Sequence, residues 1–230
     1  MTGIITAMKC EAEYIISQMG NTHVRKTGPW TFTTGRLGST EAVLAVCGVG
    51  KVFAGSCAQV MITDFGCTHI YNIGAAGALT SDLEIGDIVC ANACVQYDMD
   101  TSAVGDPVGM ISGINMIELP CDENEARSFE SYLAACGKTV STGIIATGDR
   151  FFKGSDERNA VSSRFGACAG EMEGAAVGQI CCASSLPYNV FRVITDTAKD
   201  DPGAEYAASL EECATELAKL FSGFIASKGN

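Results

Sequence analysis

A layered α/β fold is what this sequence predicts, and three observations predict it. Short apolar, β-branched runs alternate with helix-period segments along the chain. The composition is that of a globular interior, 47% hydrophobic against 18% charged, far from a disordered balance. A length of 230 residues fits one large domain and leaves little room for two independent cores, so 1–230 reads as a single unit.

The elements follow in order. Gly3–Ala7 reads as a first strand and Lys9 to Met19 as a helix. Trp30–Thr34 and Glu41–Cys47 form a strand pair joined through Gly35–Ser39. Val52–Phe65 repeats apolar residues three and four apart, the helical period. Strands follow at Ile70–Ile73 and Asp87–Gln96. Tyr97 to Pro120 carries several Gly, a Pro and little periodicity, and loops of that length are usually functional or mobile. Asp122 with Glu125 resembles a capping box opening a helix over Glu123–Cys136. A strand at Thr139–Ala146, helices at Ser155–Arg164 and Glu173–Ala183, and a strand at Tyr188–Thr195 come next. The last helix, Glu205–Ala226, places Leu210, Cys213, Leu217, Leu220, Phe221, Phe224 and Ile225 on one side. There is no internal repeat and no linker.

Charge and motif content exclude several functions. A net charge of −12 with only 15 scattered Lys and Arg argues against a nucleic-acid partner, because neutralising phosphates needs clustered cations. No apolar run approaches the roughly 20 residues of a spanning helix, and Lys9 and Glu11 interrupt the N-terminus before a signal core forms. The chain reads as cytoplasmic, without a membrane partner. Twelve cysteines sit mostly in apolar contexts such as VLAVCG and DIVCANACV, which suits buried, reduced thiols. With two distant histidines and no Cys-x-x-Cys, no metal site is expected. Gly48-Val49-Gly50-Lys51 is not a phosphate loop, since Ala45 and Val52 stand where Gly and Ser or Thr are needed. Phe53 breaks the dinucleotide fingerprint at its third glycine. The segment reads instead as a strand-to-helix turn presenting backbone N–H groups to a pocket. No Gly-x-Ser-x-Gly elbow is present.

Three carboxylates stand out. Glu11 lies just after the first strand, Asp196 ends the apolar run Asn-Val-Phe-Arg-Val-Ile-Thr-Asp, and Glu173 sits among small residues in Ala-Gly-Glu-Met-Glu-Gly-Ala-Ala. Ligands of open α/β sheets gather beyond strand C-termini, so the three can converge on one pocket. Glu11 is equally readable as a solvated first-turn residue and Asp196 as a helix cap. Uncompensated burial makes Glu173 harder to dismiss. Arg192 is a candidate ion-pair partner for one of them. Spacing alone gives a carboxylate-lined cleft and no substrate.

Seven segments then occur together in one order: residues 3–13 (GIITAMKCEAE), 48–51 (GVGK), 72–77 (NIGAAG), 86–89 (GDIV), 147–151 (TGDRF), 171–176 (EMEGAA) and 192–196 (RVITD). In this the chain resembles the 5′-methylthioadenosine/S-adenosylhomocysteine nucleosidases of the nucleoside phosphorylase superfamily, from about Met1 to Tyr206. The resemblance implies a three-layer αβα fold with a twisted mixed central sheet, a homodimer, and no cofactor. It implies an adenine nucleoside as the small-molecule ligand. Asp196 is then the general acid at adenine N7, Glu11 the group that activates water, and Arg192 a support for that site. Glu173 accepts from the ribose hydroxyls beside Met172, with Met8 near the sugar and Val49 and Ala75 in the pocket wall. Phe151 stacks on adenine, Phe152 reads its edge through the backbone, and Tyr206 adds an aromatic wall. Val104 and Ser112 belong to the segment that reaches a neighbouring subunit's 5′ pocket.

Some positions depart from the family pattern. Ala75 stands where Ser is frequent, Arg150 where a small residue is common, and Val104, Asp106 and Ser112 where Phe, Tyr and Pro are. The 5′ substituent is therefore open among methylthio, homocysteinyl, deoxy and futalosine-type groups. A purine nucleoside phosphorylase is the nearest rival, yet Glu11, Asn72 and Ala75 supply no cation for phosphate. A non-catalytic nucleoside binder has no need of a water-activating Glu11. The broken glycine fingerprint disfavours a nicotinamide-dependent oxidoreductase.

Overall fold

The computed structural model describes residues 1–197 and 202–228. Ten strands and six helices are present among them: β1 Thr2–Thr6, α1 Lys9–Gln18, β2 Gly20–Thr27, β3 Trp30–Leu37, β4 Thr40–Val46, α2 Lys51–Phe65, β5 His69–Ala78, β6 Ile88–Gln96, β7 Glu118–Pro120, α3 Glu123–Ala135, β8 Val140–Thr147, α4 Ser155–Phe165, β9 Ala167–Glu171, α5 Gly174–Ala183, β10 Tyr188–Asp196 and α6 Pro202–Ser227. The strands form one mixed sheet in the order β10-β6-β8-β9-β5-β1-β4-β3-β2, with β7 alongside β6. β10 also pairs with β5, so β5, β10, β6, β8 and β9 close into a ring.

Helices cover both faces. On one side α2 and α5 pack Ala54, Cys57, Met61, Ala175 and Val177 against the sheet. On the other, α1, α3 and α6 contribute Ile15, Phe129, Leu133, Leu217, Phe221 and Phe224. This is the three-layer αβα arrangement with a mixed sheet. A smaller cluster beneath α4 joins Val161 to Phe152, Leu79 and Val95.

Three strands escape the sequence reading: β2, β7 and β9. Seven of the eight residues of β2 are exposed, so it is an edge strand without the apolar alternation that marks a half-buried one. β9, ACAGE, is short and poor in β-branched residues. β5 extends beyond the expected Ile73 to Ala78 because Gly74–Ala78 are small enough to lie between β10 and β9. The segment 97–120 is mostly irregular as expected, with a 3₁₀ turn at Ser102–Val104 and a bridge from Ile111 to Met116, but its last three residues form β7 against β6. Asp122 caps α3 by accepting from the Glu125 N–H at 2.9 Å. The Glu125 side chain does not complete a capping box; it accepts from the Tyr71 hydroxyl and pairs with Lys228. All twelve cysteines are free; seven are buried, but Cys10, Cys121, Cys168 and Cys182 are half-buried and Cys136, past the end of α3, is exposed. No helix of the described residues is long and apolar enough to cross a membrane.

Phe129 is fully buried with its ring 4.3 Å from Phe191 and 4.9 Å from Phe224. Truncating it opens a cavity between α3, α6 and the sheet. Phe129→Ala is expected to lower the unfolding free energy by about 3–5 kcal/mol, read from the midpoint of a urea titration at unchanged slope.

Candidate active site

The C-terminal ends of β1, β5 and β10 bring the site together. β1 pairs with β5, and β5 with β10, all in parallel, so the segments leaving them share one edge of the sheet. The register shifts between Ile194 and Asp196; such an irregularity re-aims the side chain that follows. The cavity there is lined by Ala7, Met8, Glu11, Val49, Ala75, Ala76, Gly77, Phe151, Gly170, Glu171, Met172, Glu173, Thr195, Asp196 and Tyr206. Its empty volume is about 440 Å³ with the open mouth included.

Glu11 enters from the first turn of α1 and is buried. Its Oε2 accepts from the backbone N–H of Ala7 at 2.9 Å and of Met8 at 2.8 Å, and its Oε1 from that of Ala75 at 3.1 Å. Gly74 makes room, since a Cβ there would lie 2.5 Å from Glu11 Oε1. Burial raises the Glu11 pKa above its ordinary value, against the Met8 N–H, the Arg192 charge and the other two N–H donors.

Glu173 lies at the start of α5 and accepts from the Gly50 N–H at 2.8 Å. The glycine turn thus aims a backbone donor at the cavity, as its sequence suggests. Gly50 has φ of 104°, a conformation costly for any residue with a Cβ. The Lys51 ammonium is committed elsewhere, to Asp98 at 2.6 Å and Gln96 at 3.3 Å, and its N–H donates to Asp149 at 2.9 Å. This ties the turn to the loop carrying Phe151.

Arg192 is buried and does not line the cavity. Its Nη2 pairs with Glu171 and with Asn72 Oδ1, and Nη1 donates to the Asn72 carbonyl at 3.2 Å. Burial opposes its charge, but Glu171, Glu173 and Glu11 together hold its pKa above the ordinary value. The partner of Arg192 is therefore Glu171, a fourth carboxylate that the sequence reading passed over. Glu171 also accepts from the N–H groups of Glu173 at 2.9 Å and Gly174 at 2.8 Å and from the Thr147 hydroxyl. It satisfies the first N–H groups of α5 and fixes Arg192 in one step.

Asp196 is buried, paired with Arg158, and accepts from the Thr195 hydroxyl at 3.2 Å. Burial raises its pKa, Arg158 and Thr195 pull it down, and Glu205 adds to the rise. Phe151 and Tyr206 meet edge to face at 5.5 Å, and the Tyr206 hydroxyl donates to Met8 Sδ at 3.2 Å. Phe152 points away from the cavity, stacked on Tyr97 at 5.2 Å and packed over Gly170. Phe152 is not among the residues that line the cavity. Val104 and Ser112 are exposed and line no part of this chain's own cavity.

Comparison with known proteins places this geometry. A family model described as the phosphorylase superfamily matches residues 2–226. The 5′-methylthioadenosine/S-adenosylhomocysteine nucleosidase of Geobacillus sp. (strain WCH70) is 30% identical over 226 residues, 97% of each chain. The chain belongs to the 5′-methylthioadenosine/S-adenosylhomocysteine nucleosidase family. An aminodeoxyfutalosine nucleosidase of Campylobacter jejuni is 35% identical over 185 residues, covering 80% of this chain and 79% of that one. The crystal structure of S-adenosylhomocysteine nucleosidase from Streptococcus pyogenes with 5-methylthiotubericidin superposes with a TM-score of 0.94 at 31% identity. It covers 98% of this family member and is itself 96% covered.

Glu173 generates a prediction for this family member. Burial and the Glu171 charge push its pKa from 4.5 up to about 8 in the folded chain. The native state then keeps a proton that the unfolded chain has lost. This stability is present below the unfolded value and is lost as pH rises through the folded one. Glu173→Gln removes the ionisation, so the parent's Tm is expected to fall relative to the variant's between about pH 5 and 8. A constant Tm difference across that range would show an ordinary carboxylate.

Proposed function

We propose that this chain hydrolyses the N-glycosidic bond of 5′-substituted adenine nucleosides, 5′-methylthioadenosine and S-adenosylhomocysteine foremost, releasing adenine and the 5′-substituted ribose. The observation that carries the reading is the convergence of three backbone donors on Glu11. A phosphate anion needs N–H donors and a free cation. Here Ala7, Met8 and Ala75 already give theirs to a carboxylate, and Arg192 is spent on Glu171 and Asn72. A second anion beside Glu11 is repelled, whereas a water molecule gains a base. This favours hydrolysis over phosphorolysis.

The mechanism follows from where charge develops. Breaking C1′–N9 leaves an oxocarbenium-like sugar and a purine anion. Asp196 gives its proton to adenine N7 as the bond's electron pair moves into the base. Glu11 takes a proton from water as the water oxygen bonds to C1′. Ala75, whose N–H holds Glu11, and Gly77, which adjoins Asp196, lie two residues apart on β5, about 7 Å along a strand. The two groups thus line one cavity from nearby positions along β5, an acid and a base at one sugar as in inverting glycosidases. Glu173 accepts from the ribose hydroxyls, Met8 and Met172 pack on the sugar, and Arg192 steadies the carboxylate cluster from behind. Phe151 and Tyr206 wall the base and the 5′ arm. The ionised Glu11 beside the ribose stabilises the cationic transition state more than the ground state.

The 35% identity to a Campylobacter jejuni aminodeoxyfutalosine nucleosidase supports a second reading at the 5′ end, a futalosine-type substituent. The homodimer belongs to this proposal too. Val104 and Val52 are 81% and 77% exposed, and Val49 and Phe53 about half, apolar surface that suits a subunit contact closing the 5′ pocket. Adenine release from methylthioadenosine would serve methionine salvage.

Purified chain is expected to release adenine from methylthioadenosine at the same rate with and without phosphate; strict phosphate dependence would make it a phosphorylase. Glu11→Gln is expected to cut kcat by about 10²–10⁴-fold while adenosine-analogue binding persists. Since Glu11 must be ionised and its pKa is raised by burial, the acid limb of kcat/KM should lie above the ordinary Glu value of about 4.3. Loss of the alkaline limb is assigned to ionisation of Asp196, and Asp196→Asn should abolish turnover.

A further inference from the structure

Among the described residues, Arg158 is the buried cation to which the mechanism above gives no part. It leaves the first turn of α4 and is 0% exposed. Its Nη1 donates to the Ala78 carbonyl at 2.7 Å, its Nη2 to Asp196 Oδ2, and its Nε has no partner. A buried guanidinium is costly without a polar partner, and the group that faces it here is the carboxyl of Asp196. Gly77 keeps the space open: a Cβ there would lie 2.7 Å from Asp196 Oδ2 and 2.9 Å from Arg158 Nη1. The guanidinium also lies 5.9 Å from the centre of the Phe152 ring. The residue before it, Glu157, accepts from the Lys153 N–H at 3.3 Å and pairs with Arg150. One turn of α4 therefore holds both the loop that carries Phe151 and the carboxyl at the end of β10.

We propose that Arg158 is a positioning residue for the general acid, occupying Oδ2 of Asp196 so that the proton given to the purine travels on Oδ1. The inference rests on the hydrolytic reading above. In the proton transfer the O–H bond at Oδ1 breaks, N7 gains the proton, and the C1′–N9 pair enters the base. Asp196 is left as a carboxylate, and the guanidinium that receives this charge is already in place, so no reorganisation accompanies it. Two groups of opposite effect face the acid, Arg158 from α4 and Glu205 from α6, with the Tyr206 phenol beside them and Glu11 and Glu173 on the same cavity. Burial and Glu205 favour the protonated acid, and Arg158 favours the product carboxylate.

The test is adenine release by the full chain, its Arg158→Gln variant and its Arg158→Lys variant between about pH 5 and 10. Without the cation Asp196 binds its proton more tightly, so the alkaline limb of kcat/KM for Arg158→Gln should move up by about one unit or more. Its kcat should nevertheless fall by about tenfold or more at the optimum, because the carboxyl is no longer oriented. Arg158→Lys keeps the charge but not the fork that spans Ala78 and Asp196. Its limb should stay within about half a unit while kcat still drops about tenfold. An Arg158→Gln limb at the wild-type position, or wild-type turnover in Arg158→Lys, overturns the proposal. A purely structural role lowers the amount of folded enzyme by circular dichroism and leaves the limb where it was. If Arg158→Gln does not fold, kcat of Arg158→Lys decides. Wild-type chain that releases no adenine removes the hydrolytic reading itself, and this inference with it.

Discussion

Glu11, Glu171, Glu173 and Asp196 are shut away from solvent together, and among the described residues two buried guanidiniums, Arg158 and Arg192, are there to balance them. That imbalance organises the cavity. Glu171 takes Arg192, and Asp196 takes Arg158. Among the described residues Glu11 receives no direct cation, and it is held by three backbone N–H groups. Glu173 has the Gly50 N–H, and burial together with the repulsion of Glu171 raises its pKa. Neighbouring acids in one pocket thereby acquire different proton affinities from differences in partner alone, which is how one site can hold an acid and a base at the same pH.

The sheet makes this possible. β5 is flanked by β1 and β10 along its first half and by β9 and β10 at its end. Its residues Gly74 to Ala78 are small, so the carboxylates of α1 and β10 approach the backbone closely. A side chain at Gly74 or Gly77 would occupy the place of a carboxylate or guanidinium atom. The Asn-Ile-Gly-Ala-Ala-Gly run, on this view, is a requirement of packing charged groups onto a strand.

Glu11, Glu173 and Asp196 could be read from the sequence because each sits beside an apolar run, where a charge is conspicuous. Glu171 is as central, yet a Glu two residues from a more conspicuous one gives no separate signal. Arg158 was invisible for a different reason. It lies in SDERNAVSSR, a polar stretch in which arginine normally faces water, and its burial comes from the tertiary fit of α4 over β9. β2 is silent because an exposed edge strand has no periodicity to read, and the reach of β5 past Ile73 because glycine and alanine carry little strand preference. The helices were legible from periodicity and the other strands from short apolar, β-branched runs, whereas β7, three residues ending an irregular stretch, carries neither signal.

Val49 stands between Gly48 and Gly50, with φ of 92° and 104°, and is itself half exposed at the rim of the cavity. The two flanking positions admit essentially no residue with a side chain, whereas position 49 carries one that touches little of the core. Bulk can therefore be added or removed there while the strand-to-helix corner keeps its shape. A substitution at this one position alters the mouth of the cavity at small expense to folding.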